Sequence, residues 1–134
     1  MITAKIQYLG DLRTECTHLS SGSVIRTDAP LDNKGKGEFF SPTDLVATAY
    51  ASCMLTIMGI YCQEHGINMS TGTIQVTKLM ESGPRRIGKL LLSIDLRGNN
   101  WDADTAEKII RAGKACPVAK TLEDRVDVEI EIQS

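Results

Sequence analysis

SPTDLVATAYASCMLTIMGIYCQEHG, residues 41–66, decides how the rest of the chain must be arranged. Ser41 suits a helix N-cap, Pro42 the first helical position, and Asp44 the positive end of the helix dipole. Gly66, after Glu64 and His65, can supply a left-handed C-terminal residue. No charge interrupts the run between Asp44 and Glu64, and Leu45, Val46, Tyr50, Met54, Leu55, Ile57, Met58 and Ile60 fall on every side of the predicted helix. A helix apolar all round is a membrane span or the centre of a core. The run is near the ~20-residue minimum for a span. Thr48, Ser52, Thr56 and Gln63 dilute it, and no Lys or Arg flanks it to set an orientation. The sequence therefore predicts a core helix wrapped by other elements, with Cys53 in its middle and no membrane contact.

The remaining composition fits that expectation. A length of 134 residues is expected to form one domain, residues 1–134, with one core. A net charge of −2 and few aromatic residues argue against nucleic acid as a partner. The opening MITAKIQYLG has no apolar signal segment, so the cytoplasm is the expected location. Cys16, Cys53, Cys62 and Cys116 include no C-x-x-C pair, and in that compartment they read as thiols rather than a disulfide framework.

Working outward, period-two alternation predicts strands over residues 2–8, 12–19 and 23–27, joined as an antiparallel meander. Residues 28–40 are turn-rich and are expected to lead Phe39 and Phe40 into the core beside Ser41. Beyond the central helix, strands are predicted over 71–80 and 89–96. A helix capped by Asp102 or Asp104 then runs to about Ala115, a short helix covers 118–123, and a last strand covers 126–132. The order β-β-β-α-β-β-α-α-β indicates an α+β fold with a mostly antiparallel sheet. One sheet covers only part of an all-round apolar helix, so a homodimer is expected to cover the rest.

The cysteines carry the available chemistry. Burial among Leu, Met and Ile would make Cys53 inert, so a reactive Cys53 needs a nearby cation. Cys116 precedes Pro117 at a helix start, where an N-cap sulfur is expected to be thiolate-prone; the alternative is a simple helix break. Cys62 and His65 have the spacing of half a zinc site with no second pair, which reads as structural. Cys16 reads as strand packing, and His18 is an isolated candidate base.

Two of these stretches, SPTDLVATAYASCMLTI and ACPVAKTL, resemble the OsmC/Ohr family of thiol-dependent peroxidases, and the element order matches over essentially the whole chain. The resemblance implies an α+β OsmC-like fold in which antiparallel sheets wrap long central helices in an intertwined homodimer. It implies that Cys53 is the peroxidatic cysteine, Cys116 the resolving one, and Arg13 the cation that activates the thiolate. It also implies reduction of organic hydroperoxides, re-reduction by an external dithiol of the lipoyl type, and no metal or flavin cofactor. In well-studied members a glutamate ten residues before the peroxidatic cysteine holds the arginine; here Thr43 stands there, which marks a divergent branch. Glu15 and Glu38 are the alternative arginine partners. Phe39, Phe40, Met54 and Met58 would suit an apolar peroxide tail. Two other readings stand beside this one: a non-catalytic protein holding an apolar ligand in the dimer groove, and a thiol–disulfide exchange protein.

Overall fold

Alternation at the start of the chain becomes three strands in the computed structural model, which describes residues 1–134: β1 (Ala4–Gly10), β2 (Arg13–His18) and β3 (Val24–Asp28). They pair as an antiparallel meander in the order β1-β2-β3. This sheet belongs to the first of two units, Met1–Val46; the second is Ala47–Ser134. Asp11 and Leu12 both have positive φ, 55° and 62°, as a two-residue type I′ hairpin requires. Periodicity alone assigns Leu12 to the second strand; the structure places it in the turn because the hairpin closes Gly10 opposite Arg13. In the β2–β3 ladder Arg13 faces Asp28 and Glu15 faces Arg26, while Thr14 and Cys16 face Thr27 and Ile25. Alternation sends these two sets to opposite faces of the sheet.

The unit ends at the start of α1 (Pro42–Glu64). The Asp44 N–H donates to Ser41 Oγ (3.0 Å), and the Ser41 N–H donates to Asp44 Oδ2 (2.9 Å). This reciprocal arrangement is a capping box with Asp in the usual Glu place.

The second unit holds most of α1, then β4 (Thr73–Glu81), β5 (Arg86–Asp95), α2 (Ala103–Lys114), α3 (Pro117–Leu122) and β6 (Asp127–Gln133). Its three strands form their own sheet in the order β4-β5-β6. There are thus two three-stranded sheets where the sequence suggests one. The β4–β5 pair is antiparallel, but β6 runs parallel to β5. The expectation of mostly antiparallel pairing holds for three of the four ladders, and β6 is the exception for a topological reason. The chain leaves β5, passes through α2 and α3, and returns along the same edge, and such a helical crossover delivers a parallel strand.

The core of this unit is built from three spacings. Ala47, Tyr50, Ala51, Met54, Met58 and Cys62 recur every three or four residues and form the buried stripe of α1. Leu90, Leu92 and Ile94 alternate along β5 and are almost wholly buried. Ala106, Ile109 and Gly113 are the buried side of α2. Each fully buried Leu, Ile or Met stabilises the fold by roughly 1.5–3 kcal/mol. By length and composition α1 is a helix that could cross a membrane, yet this stripe makes it the core helix of the unit. Ile60, and Val46 at the helix start, remain exposed.

Gly113 sets how closely α2 approaches α1. A Cβ there would lie 2.5 Å from Met58 Cε, 2.9 Å from Met58 Cγ and 3.4 Å from the Met54 carbonyl oxygen. Met58 has no exposed surface and no open side to retreat to. Gly113→Val is therefore expected to destabilise the protein by about 1–3 kcal/mol through overpacking. The check is a lowered urea midpoint at unchanged m-value.

Candidate active site

The sequence places Cys53 one residue before Met54, about 100° around α1 from it. Cys53 is accordingly half-buried on the flank of the stripe, while Met54 is wholly inside. Cys116 ends the α2–α3 connection. Pro117 fills the first position of α3, leaving Cys116 as N-cap with its Sγ accepting the Ala119 N–H at 3.4 Å. Cys116 has no exposed surface and belongs to the same core cluster against which Cys53 packs. Cys53 is close enough to Cys116 to act on its thiol electrostatically, and both cysteines are free. A half-exposed thiol thus lies against a fully sequestered one.

The cap alone predicts a thiolate-prone Cys116, and the structure corrects this. Burial pushes the Cys116 thiol up, and the Ala119 N–H only partly offsets it; the neighbouring Cys53 pushes it up further. Desolvation of a fully buried sulfur outweighs the cap. Tyr50, one turn before Cys53 on α1, is a neighbour of Cys116 that the sequence reading passes over as a core residue. Burial raises the Tyr50 phenol, and proximity to Cys116 and to Glu123 adds to it. Its spacing from Cys53 was the available signal. Tyr50 also lines a cavity of about 190 Å³ with Lys114, Lys120, Leu122 and Glu123.

The first unit carries a second cluster, around Arg13. The β2–β3 register sets Arg13 opposite Asp28. Arg13 Nη2 donates to Glu38 Oε2 at 2.7 Å and to Asp28 Oδ2 at 3.4 Å, and its guanidinium lies 5.2 Å from the centroid of the Phe39 ring. Asp28 has no exposed surface. The Glu38 backbone N–H, donating to Asp28 Oδ2 at 3.0 Å, leads in holding this carboxyl below the usual carboxylate range; Arg13 and the Lys36 N–H add to it against the cost of burial. The Glu38 and Asp28 carboxylates raise the Arg13 guanidinium further. Of the two alternative arginine partners, Glu38 is bonded to Arg13. Glu15 instead lies 3.7 Å from Arg26, its directly opposed residue across the ladder.

The residues assigned to an apolar substrate tail divide. Met54 and Met58 have no accessible surface and serve as core, because they lie on the stripe of α1 that packs inward. Phe39 and Phe40 are exposed rather than inserted in the core: the Phe39 ring takes the Arg13 cation, and the Phe40 carbonyl accepts the Asp28 N–H. Cys62 is buried and its thiol is pushed up by burial, whereas His65 is exposed and stacked on Tyr61 at 3.9 Å between centroids. Cys16 sits half-buried on β2, 3.7 Å from Thr14 Oγ1. His18 is held by Ser20 and Ser21 in the exposed turn after β2.

With these elements in place, comparison decides the family. The family model described as OsmC-like protein matches residues 35–131. The chain belongs to the OsmC-like family. Its OsmC-like fold is seen in a Psychrobacter arcticus 273-4 protein described as an osmotic stress induced and detoxification response protein. That protein is 44% identical over 99% of this chain and 96% of its own, with a TM-score of 0.93. The organic hydroperoxide resistance protein OsmC of Legionella pneumophila shares the fold at 16% identity and TM-score 0.77, over 100% of this chain and 98% of its own. OhrB of Bacillus subtilis, an organic hydroperoxide resistance protein, does so at 22% identity and TM-score 0.72, over 98% of each chain. No curated protein sequence matches the chain significantly.

Proposed function

We propose that this OsmC-like protein is a thiol-dependent peroxidase that reduces organic hydroperoxides through Cys53 and Cys116. The observation that supports this most is that the half-buried Cys53 packs against the core cluster containing the fully buried Cys116, close enough for Cys53 to push the Cys116 thiol up. The Cys53 thiolate attacks the outer peroxide oxygen, the O–O bond breaks, and the alkoxide leaves as an alcohol after taking a proton. Cys53 is then a sulfenic acid. The Cys116 sulfur attacks the Cys53 sulfur, water leaves, and a disulfide forms. An external dithiol, of the lipoyl type by family resemblance, reduces it by exchange. Arg13 is the proposed cation that favours the Cys53 thiolate. The names of the Legionella and Bacillus proteins support the substrate class. We further propose one functional domain over residues 1–134, acting as a cytoplasmic homodimer, whose second copy covers the apolar residues left exposed on α1, with no cofactor.

The test is addition of one equivalent of cumene hydroperoxide to the reduced protein, followed by intact mass and thiol mapping. The expected result is loss of two of the four free thiols, Cys53 and Cys116, faster than with hydrogen peroxide. Survival of all four thiols removes the proposal. A groove of about 850 Å³ is lined by Thr56, Gln63, Asn68, Ser70 and Thr71 as well as Ile60, Ile67 and Met69, a mainly polar lining that gives the alternative of an apolar-ligand carrier no support. A co-purified lipid together with unreactive thiols would select that alternative.

A further inference from the structure

Asp28 is the most deeply buried charged side chain of the protein, and its surroundings are lopsided. Its Oδ2 takes the Arg13 guanidinium and the Glu38 N–H, while its Oδ1 is buried without any partner. Arg13 mirrors this: Nη2 makes both ion pairs, and Nε is buried without a partner. A buried carboxylate with half its bonding capacity unused is costly to keep, and such groups need an explanation beyond stability. Glu38, by contrast, has a side chain 57% exposed, where solvent screens its pull on Arg13.

We infer that Asp28 is the positioning residue of Arg13, fixing the guanidinium from the interior and tying it to the 36–38 segment, while Glu38 acts as an outer latch that can be released. This rests on the peroxidase reading, in which Arg13 serves Cys53. The strand register gives Arg13 only a small range relative to Asp28, because the two residues are directly opposed in the ladder. Both buried orphan atoms belong to this one pair. A modest rotation about the end of the Arg13 side chain can therefore exchange the Glu38 bond for an Nε–Oδ1 bond without losing Asp28. The inner carboxylate keeps the cation placed when the outer one lets go.

The experiment compares wild type, Asp28→Asn, Arg13→Met and the double variant. It reads the rate of cumene hydroperoxide reduction and, separately, the pH profile of Cys53 alkylation by iodoacetamide. Asp28→Asn is expected to slow peroxide reduction about thirtyfold and to move the Cys53 profile up by about one pH unit, since a displaced cation no longer favours the thiolate. In the Arg13→Met background the same change should add nothing, because Asp28 acts through Arg13. Wild-type rate and profile in folded Asp28→Asn, or additive losses in the double variant, overturn the inference.

Thr43→Glu covers the case in which Asp28→Asn does not fold. It places a carboxylate where the family resemblance puts an arginine-holding glutamate. With Arg13 already held by Asp28, the rate should stay within about threefold of wild type. An acceleration of about tenfold or more would show Arg13 to be under-held and overturn the inference. If wild type itself leaves hydroperoxide unreduced, the peroxidase reading fails, and the Cys53 profile still reports whether Asp28 acts on that thiol.

Discussion

Cys53→Ser is expected to abolish hydroperoxide reduction, with a loss of at least about a thousandfold at neutral pH. The size follows from the chemistry required of this atom. The sulfur must attack oxygen as an anion, accept the oxygen, and then be attacked by a second sulfur. A serine hydroxyl is not ionised near neutral pH and forms no sulfenate equivalent, so every step is lost together. The fold should survive the change. Cys53 is half-buried on the flank of α1, serine is close to isosteric, and the buried stripe from Ala47 to Cys62 is untouched. Peroxide consumption with a dithiol, paired with a thermal unfolding curve, separates loss of chemistry from loss of fold. Cys62→Ser is the matched control. Cys62 is equally a thiol of α1 but is buried with its pKa raised, so its replacement should lower stability while leaving the peroxide rate intact. Equal activity of Cys53→Ser and wild type would sink the peroxidase reading.

Much of this was legible in the sequence, and the boundary of legibility is physical. The ends of α1 were readable because Ser41, Pro42 and Asp44 satisfy local hydrogen-bonding needs, and local needs are written locally. The strands of both sheets were readable from alternation, and Asp102 from its capping pattern, which the structure repeats as a bond to the Thr105 N–H. What periodicity does not carry is which neighbour a strand finds. The parallel seat of β6 depends on a crossover through α2 and α3, not on its own residues. Within the candidate site, the positions of Cys53 and Cys116 followed from family resemblance, and their juxtaposition needed coordinates. Asp28 was invisible for a related reason. In DAPLDN it reads as the start of a turn, and only the β2–β3 register sets it opposite Arg13. That Met54 and Met58 are fully buried was not legible, because an all-round apolar helix does not announce which side is inward. Only the packing of Gly113 against Met58 settles that.

Cys116→Ser should leave the first turnover intact and stop the cycle after it. The first chemical step needs only Cys53, so one equivalent of hydroperoxide is still consumed. The sulfenic acid then meets a hydroxyl where its partner thiol stood. A neighbouring thiol acts at an effective concentration far above any free reductant, up to about 10⁵ M or more for well-placed groups. With about millimolar dithiol replacing it, steady-state turnover is expected to fall by about a hundredfold or more. Because Cys53 is partly exposed, its sulfenic acid is open to a second peroxide and proceeds to the sulfinic acid. Intact mass should therefore show one added oxygen, trappable by dimedone, and then two. Folding is not the confounding factor it would be at another buried cysteine. Serine is a strong N-cap, and its hydroxyl can take the Ala119 N–H that the Cys116 sulfur accepts at 3.4 Å. If the variant instead cycles at the wild-type rate and no sulfenic acid is trapped, the external dithiol attacks Cys53 directly. Cys116 would then be a buried cap whose closeness to Cys53 serves packing alone.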